Sequence, residues 1–318
     1  MVGDRRCCNI NFNTKVYFHK QKQYSVQLPE NITIAKNSSS PLTVKRFGYG
    51  TMRLTGEGIY GEPANRLEAL QILKQCIADG IQFLDTADYY GDDVTNRLIA
   101  EALYPYPNEL VICTKVGGTR KPDKSWIPFN TPENLRTSIE NNLRTLKLEQ
   151  IQLVHFRVMP HAATPFTASM EAMFAMQQEG KILHVGVSNV NEQELQTAMA
   201  MGSIATVENM YGYAQRNTHV SHYGENRGGE EILSICEAKN ILLIPYFSLL
   251  NSLPKNNEKI NAIATKYNAS AAQINLAWLL HRSPIILPIP GTSSLAHFNE
   301  NNKAIAITLT QDDMDNLG

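Results

Sequence analysis

The 318 residues lack the cysteine pattern of a zinc module or a disulfide scaffold. Five cysteines (Cys7, Cys8, Cys76, Cys113 and Cys236) are odd in number and scattered, and no C-x-x-C pair occurs. That usage suits a reducing compartment, so a cytoplasmic location is expected. No apolar run approaches the ~18 residues of a membrane span, and no membrane partner is expected. The opening MVGDRRCCNINFNTK is charged and has no apolar core, so it does not read as a secretory signal. An excess of one charge is also missing. Twenty-nine basic against thirty acidic residues leave a net charge of -1, with no field to recruit nucleic acid. Finally, no G-x-G-x-x-G opens a helix, which counts against a doubly wound dinucleotide-binding sheet.

What is present is the composition of a soluble globular protein, 43% hydrophobic and 19% charged, long enough to bury a core unaided. Residues 1–31 carry no motif and read as an N-terminal extension of unknown role. From about residue 42 a short β-branched run, a turn and a longer amphipathic stretch alternate. Strands are predicted at 44–49, 81–84, 110–114, 151–156, 184–187, 205–209, 241–246 and 285–289. Between them, 66–79 places Leu67, Leu70, Leu73, Ile77 and Ala78 on one face, and Gly80 stops the helix. Thr131-Pro132-Glu133 is a helix start, with Thr as N-cap and Pro at the first position. The stretch 165–179 carries Phe166, Met170, Met173, Phe174 and Met176, a stripe that reads as core rather than as a ligand surface. Strand–helix alternation means parallel pairing and right-handed crossovers. Eight units in under 300 residues predict an α/β fold: a single (β/α)₈ barrel over residues 32–318, with its chemistry where strands end and βα loops begin.

The second predicted strand runs into Asp85-Thr-Ala-Asp-Tyr-Tyr90-Gly91, and the third into Thr114-Lys115. An Asp, a Tyr and a Lys at adjacent strand ends make a proton-donor device. A phenol is a weak acid at neutral pH, an ammonium beside it stabilises its phenolate, and a carboxylate holds the ammonium in place. The string D-T-A-x-x-Y-G with this T-K resembles the aldo-keto reductases. So do Gly48-x-Gly50-Thr51, Gly186-Val-Ser188-Asn189, Ile289-Pro-Gly291-Thr292 and Glu300-Asn301, in the same order along the chain. The resemblance implies a (β/α)₈ enzyme that reduces an aldehyde to an alcohol with NADPH, NADH being the other candidate. It implies that Tyr90 donates the proton, Lys115 lowers its pKa and Asp85 pairs with Lys115. Ser188, Asn189 and Glu208 are implied at the nicotinamide carboxamide and Tyr246 against its ring. Gly50, Thr51, Asp85, Leu249, Gly291, Thr292, Ser293 and His297 are implied along the cofactor, and Glu300 and Asn301 at its adenine.

Three departures from the family pattern matter. Arg157 stands where a His is usual, and His155 lies two residues earlier on the same strand face. Arg cannot shuttle protons but is a permanent cationic donor, so it is expected to hold the carbonyl oxygen or an anionic substituent; a His155 that reaches the site is the alternative. Glu208 replaces a usual Gln, and His297 the usual Arg at the adenosine 2′-phosphate. The segments Gly48–Leu54, Glu101–Pro107, Leu153–Met159 and Pro290–His297 resemble the pyridoxal reductases, which implies reduction of pyridoxal to pyridoxine in vitamin B6 salvage. Two other readings stay open: a broad-specificity carbonyl reductase, and a cofactor-binding regulatory subunit. Trp126 and Phe129 are either substrate wall or ordinary loop packing. No metal is expected, because His219 and His222 have no third ligand at suitable spacing. Oligomeric state is not legible.

Overall fold

The structure, a computed structural model, describes residues 29–213, 216, 229–249 and 257–318. Its first elements are an antiparallel hairpin of β1 (Asn31–Ile34) and β2 (Leu42–Lys45). The central sheet then runs β3 (Tyr49–Gly50), β4 (Phe83–Asp85), β5 (Val111–Arg120), β7 (Ile151–Arg157), β8 (Ile182–Ser188), β9 (Thr206–Glu208) and β10 (Leu242–Leu243), every neighbouring pair parallel. β6 (Trp126–Phe129) pairs antiparallel with the far end of β5. The segment 285–289 closes the ring as the eighth strand. Leu243 N donates to Ile285 O and Leu287 N to Leu243 O on one side, and Gly48 N donates to Pro288 O on the other.

Helices cover the outside: α1 (Arg66–Ala78), α2 (Val94–Leu103), α3 (Pro132–Leu146), α4 (Phe166–Gln178) and α5 (Glu192–Met201). They are followed by α6 (Glu230–Lys239), α7 (Glu258–Lys266), α8 (Ala271–Arg282), α9 (Leu295–Asn302) and α10 (Gln311–Leu317). The architecture is the expected (β/α)₈ barrel. Local chemistry explains the helix ends. Thr131 accepts from Asn134 N with Pro132 at the first turn, and α5 and α8 open on full capping boxes at Asn191/Glu194 and Ser270/Gln273. Met170, Met173 and Met176 of α4 are fully buried against Val154, Val185 and Val187, so the methionine stripe is core.

Four elements differ from the sequence-based expectation. α1 buries Ala69, Ile72, Leu73 and Cys76, while Leu67 and Ala78 of the expected face are exposed. The predicted strand 44–49 is split, because the chain bends at Arg46. That buried guanidinium donates to the carbonyls of Leu280, Ser283 and Ile286, so one β-branched run serves the hairpin and the barrel in turn. β5 continues five residues beyond Lys115 into a hairpin with β6, where only a long loop was expected. The eighth strand makes one isolated bridge, Leu243 to Ile286, rather than a ladder. The hairpin also starts at Asn31, one residue before the expected barrel boundary.

The hairpin fills the N-terminal mouth of the barrel. Ile32, Ile34 and Val44 pack with Phe83, Val111, Leu153, Leu242 and Leu287 in one buried cluster. Each such side chain contributes roughly 1.5–3 kcal/mol by leaving water. The opposite mouth is left for polar chemistry.

Candidate active site

Parallel register determines which side chains meet. Asp85 pairs with Cys113 across β4 and β5, Lys115 with His155 across β5 and β7, Arg157 with Ser188 across β7 and β8, and Ser188 with Glu208 across β8 and β9. Asp85, Lys115, Arg157 and Glu208 therefore converge at the C-terminal mouth although up to 123 positions separate them (208 − 85). Tyr90 reaches the same place from the turn after β4.

Lys115 is almost completely buried and lies between two carboxylates. Its Nζ donates to Asp85 Oδ1 and sits 3.3 Å from Glu208 Oε1. Burial alone would lower the Lys115 pKa, but Asp85 and Glu208 raise it well above the ordinary lysine value. Burial raises Asp85, and the Glu208 charge adds to that. Burial also works against Glu208, yet Lys115, His155 and Arg157 hold its carboxyl below the usual range.

The Lys115 ammonium lies 5.2 Å from the centroid of the Tyr90 ring. It pulls the Tyr90 pKa down, but burial pushes harder the other way and the two carboxylates assist, so the phenol titrates above its ordinary value. Lys115 thus acts on Tyr90 in the expected direction, and burial outweighs it.

His155 does not reach the cavity. It is fully buried one layer below, with Nε2 2.7 Å from Thr206 Oγ1 and Nδ1 3.1 Å from both Cys113 Sγ and Glu208 Oε2. Gly186 makes room for it, since a Cβ there would stand 2.4 Å from His155 Cδ2. Asp85, Cys113 and His155 place three ligand-type atoms within 4.8 Å of one another, but the Lys115 ammonium bonded to Asp85 already supplies the positive charge. His219 and His222 lie outside the described residues.

Above this floor is a cavity of about 920 Å³, its open mouth included. Gly50, Asp85, Tyr90, Arg157, Glu208, Tyr246, Leu249 and Gly291 line it, together with Met52, Arg53, Ile59, Tyr89, Trp126, Met159, Phe247, Ser248 and Ile289. Arg157 donates to Ser188 Oγ at 3.4 Å and stacks 5.2 Å from the Tyr246 ring centroid. The Tyr246 hydroxyl donates to Asn189 Oδ1 at 3.0 Å, and Asn189 Nδ2 to Val158 O. Trp126 is wall rather than loop filler, because it packs edge-on against Tyr89 and is held from behind by the Arg120 guanidinium, 4.1 Å from its centroid. Phe129 is not part of that lining. The sequence reading missed Tyr89, whose buried hydroxyl has no hydrogen-bond partner among the described residues, and Asn209, whose side chain locks the backbone of Val190 in both directions.

The remaining expected residues lie elsewhere. Thr51 is buried and donates to Asp85 O, so its hydroxyl fastens β4 rather than facing the cavity. Thr292 is buried, with Oγ1 accepting from Ser294 N. Ser293 and His297 are exposed around the start of α9, while Asn301 is buried near its end and Glu300 accepts from Gln273 through its backbone carbonyl. The carboxylate of Glu68, which the sequence did not single out, accepts from Leu295 N at that helix start.

No helix among the described residues is long and apolar enough to cross a membrane. The aldo/keto reductase family model matches residues 46–318. Pyridoxine 4-dehydrogenase of Escherichia coli (strain K12) is 36% identical over 280 residues, covering 86% of this chain and 94% of that protein. An uncharacterized oxidoreductase of Schizosaccharomyces pombe is 36% identical over 273 residues, covering 85% of each. Among solved structures, a thermostable aldo-keto reductase in complex with the inhibitor epalrestat superposes with a TM-score of 0.75 at 26% identity, covering 90% of this chain and 98% of that one. An aldo-keto reductase from Klebsiella pneumoniae in complex with NADPH superposes with a TM-score of 0.69 at 24% identity, covering 86% and 90%.

Proposed function

The chain belongs to the aldo/keto reductase family and is an oxidoreductase, and from that premise we propose that it reduces an aldehyde to an alcohol with NADPH, its substrate being pyridoxal. The observation that carries the reading is the convergence of Tyr90, Lys115, Asp85 and Arg157 on the floor of one cavity. NADPH, when bound, supplies the hydride. Ser188 and Asn189, buried just behind the cavity lining, would hold its nicotinamide end. The Ser188 hydroxyl accepts from Arg157 and keeps its hydrogen to donate, and Asn189 Oδ1 keeps a second lone pair beside the Tyr246 hydroxyl. One donor and one acceptor are what a carboxamide needs to fix which ring face is presented.

Tyr90 donates the proton to the carbonyl oxygen as negative charge develops there. Lys115 stabilises the phenolate left behind, Asp85 holds Lys115, and the buried floor excludes water. Arg157 cannot give up a proton at neutral pH, so its part is to bind and polarise. Pyridoxal carries a readily ionised phenol next to its aldehyde, and a fixed guanidinium pairs with that oxygen while the aldehyde faces Tyr90. The 36% identity to a pyridoxine 4-dehydrogenase supports this substrate. The largely apolar and aromatic wall would also admit other aromatic aldehydes, and the intact Asp85, Tyr90 and Lys115 favour an enzyme over a cofactor-binding subunit.

Steady-state reduction of pyridoxal and of an aromatic aldehyde without the phenol tests this, in the native chain and in Arg157→Met. The substitution keeps much of the stem and removes charge-assisted hydrogen bonds of roughly 1.5–3 kcal/mol. The expected result is an about 10- to 100-fold lower kcat/KM on pyridoxal and a clearly smaller loss on the plain aldehyde. Equal losses would assign Arg157 to the carbonyl itself and make the broad-specificity reading the better one.

A further inference from the structure

We propose that Glu208 is a positioning residue for Lys115, a second counter-ion braced from below by His155, and that it sets how strongly Lys115 acts on the Tyr90 phenol. The inference rests on the reading of Tyr90 as the proton donor, and it reassigns Glu208 from the cofactor amide to the charge balance of the floor.

Three observations support it. Both carboxylate oxygens are taken up within the barrel: Oε1 is 3.3 Å from Lys115 Nζ and Oε2 is 3.1 Å from His155 Nδ1. All three side chains are at most 2% exposed, so solvent screens them weakly. A neutral amide here would leave the ammonium with Asp85 alone as counter-ion, so the carboxylate adds a charge that the usual Gln does not carry.

The layer beneath is built to hold that carboxylate. Gly186 leaves space for the imidazole, as a Cβ would sit 2.4 Å from His155 Cδ2 and 2.7 Å from Thr206 Oγ1. Thr206 lies 2.7 Å from Nε2 and its hydroxyl can rotate to donate. With Thr206 donating, the ring hydrogen sits on Nδ1, between Cys113 Sγ and Glu208 Oε2, each 3.1 Å away. The opposite tautomer would point an imidazole lone pair at a carboxylate 3.1 Å away in a dry interior, at a heavy electrostatic cost. The contact is close without being aligned as a hydrogen bond, so Oε2 still has no well-directed donor. The brace is therefore electrostatic more than directional.

The groups facing Lys115 complete the balance. Asp85 approaches from β4, Tyr89 and Tyr90 from the turn after it, Cys113 from its own strand, His155 from β7 and Glu208 from β9, while Arg157 acts on Glu208 and the two phenols. Burial and the Glu208 charge raise Asp85, so Glu208 is the firmer anion beside the ammonium and draws down the positive field left for the phenol. Removing the Glu208 charge frees Lys115, stabilises the phenolate and moves the Tyr90 titration to lower pH. The native carboxylate thus keeps the phenol protonated, so a proton is present to give.

The test uses the full chain with a single difluorotyrosine at position 90, whose more acidic phenol titrates within the folded range and is read by ¹⁹F NMR. In Glu208→Gln the phenol midpoint should fall by ~1 pH unit or more relative to the same label in the native background. The Kd for NADPH should stay within about twofold. An unmoved or higher midpoint overturns the proposal, and so does an unmoved midpoint joined to an about tenfold weaker Kd, the signature of an amide ligand. If Glu208→Gln does not fold, ¹⁵N NMR of histidine in the unsubstituted chain decides instead. A neutral His155 with its hydrogen on Nδ1 supports the brace, and a hydrogen on Nε2 overturns it. Neither readout needs turnover. An inactive native chain would therefore count against the reductase reading, while the phenol midpoint still decides the role of Glu208.

Discussion

At the N-terminal ends of the barrel strands, Phe83, Val111, Leu153 and Leu242 meet the hairpin residues Ile32, Ile34 and Val44. A few positions further along those strands and on β9, Asp85, Lys115, Arg157 and Glu208 fill the other mouth with ionisable groups, and His155 lies buried beneath them. Both ends are buried, but by different means. The apolar end is held by non-directional burial, in which neighbours can shift to cover a loss. The charged end is held by pairs, and deleting one partner leaves the other unpaired in a medium that solvates it poorly. The first end supplies stability that the second end uses.

The sharpest way to separate the two ends is at Tyr90. Tyr90→Phe keeps the ring, its edge-on contact with Tyr89 and the fold, but removes the proton. Turnover should fall by about 100-fold or more, the usual scale for a lost general acid, with the NADPH Kd essentially unchanged. Near-normal turnover would assign the proton to another group. At the opposite end, Ile34 is fully buried in the plug. Ile34→Ala should cost about 2–5 kcal/mol of stability, measured by denaturant unfolding. Turnover per folded molecule should stay within about twofold; a larger loss would mean that the two ends are coupled. The smallest effect is expected on the rim. His297 is exposed near the start of α9, where Glu68 already brings a carboxylate to Leu295 N. His297→Arg should tighten NADPH more than NADH by a modest factor, since Arg pairs bidentately with a phosphate. Equal gains for both cofactors would place the 2′-phosphate elsewhere.

Much of this division was legible before any coordinates. The alternation of β-branched runs with capped amphipathic stretches is a property of windows of about 4–15 residues, and Thr131-Pro132-Glu133 or the buried face of α4 can be read from such windows alone. Asp85, Tyr90 and Lys115 stood out because polar groups at strand ends face the chemistry of a barrel. Trp126 was undecided for the opposite reason. Its wall position depends on β5 pairing back onto β6 and on Arg120 behind it, contacts that no periodicity announces.

The chain's own residues therefore determined the eight strand–helix units, the bounds of the helices over 66–79 and 165–179, the start of the one at Pro132 and the acid, ammonium and carboxylate that meet at the open mouth. Tertiary structure decided how those charges balance. It bent the run 42–50 at Arg46, closed the ring through 285–289, kept His155 one layer down and set Glu208 beside Lys115. The physical reason is range. Propensity and capping act between near neighbours, whereas a pKa depends on burial and on charges brought together by strand register from 30 to 120 positions away.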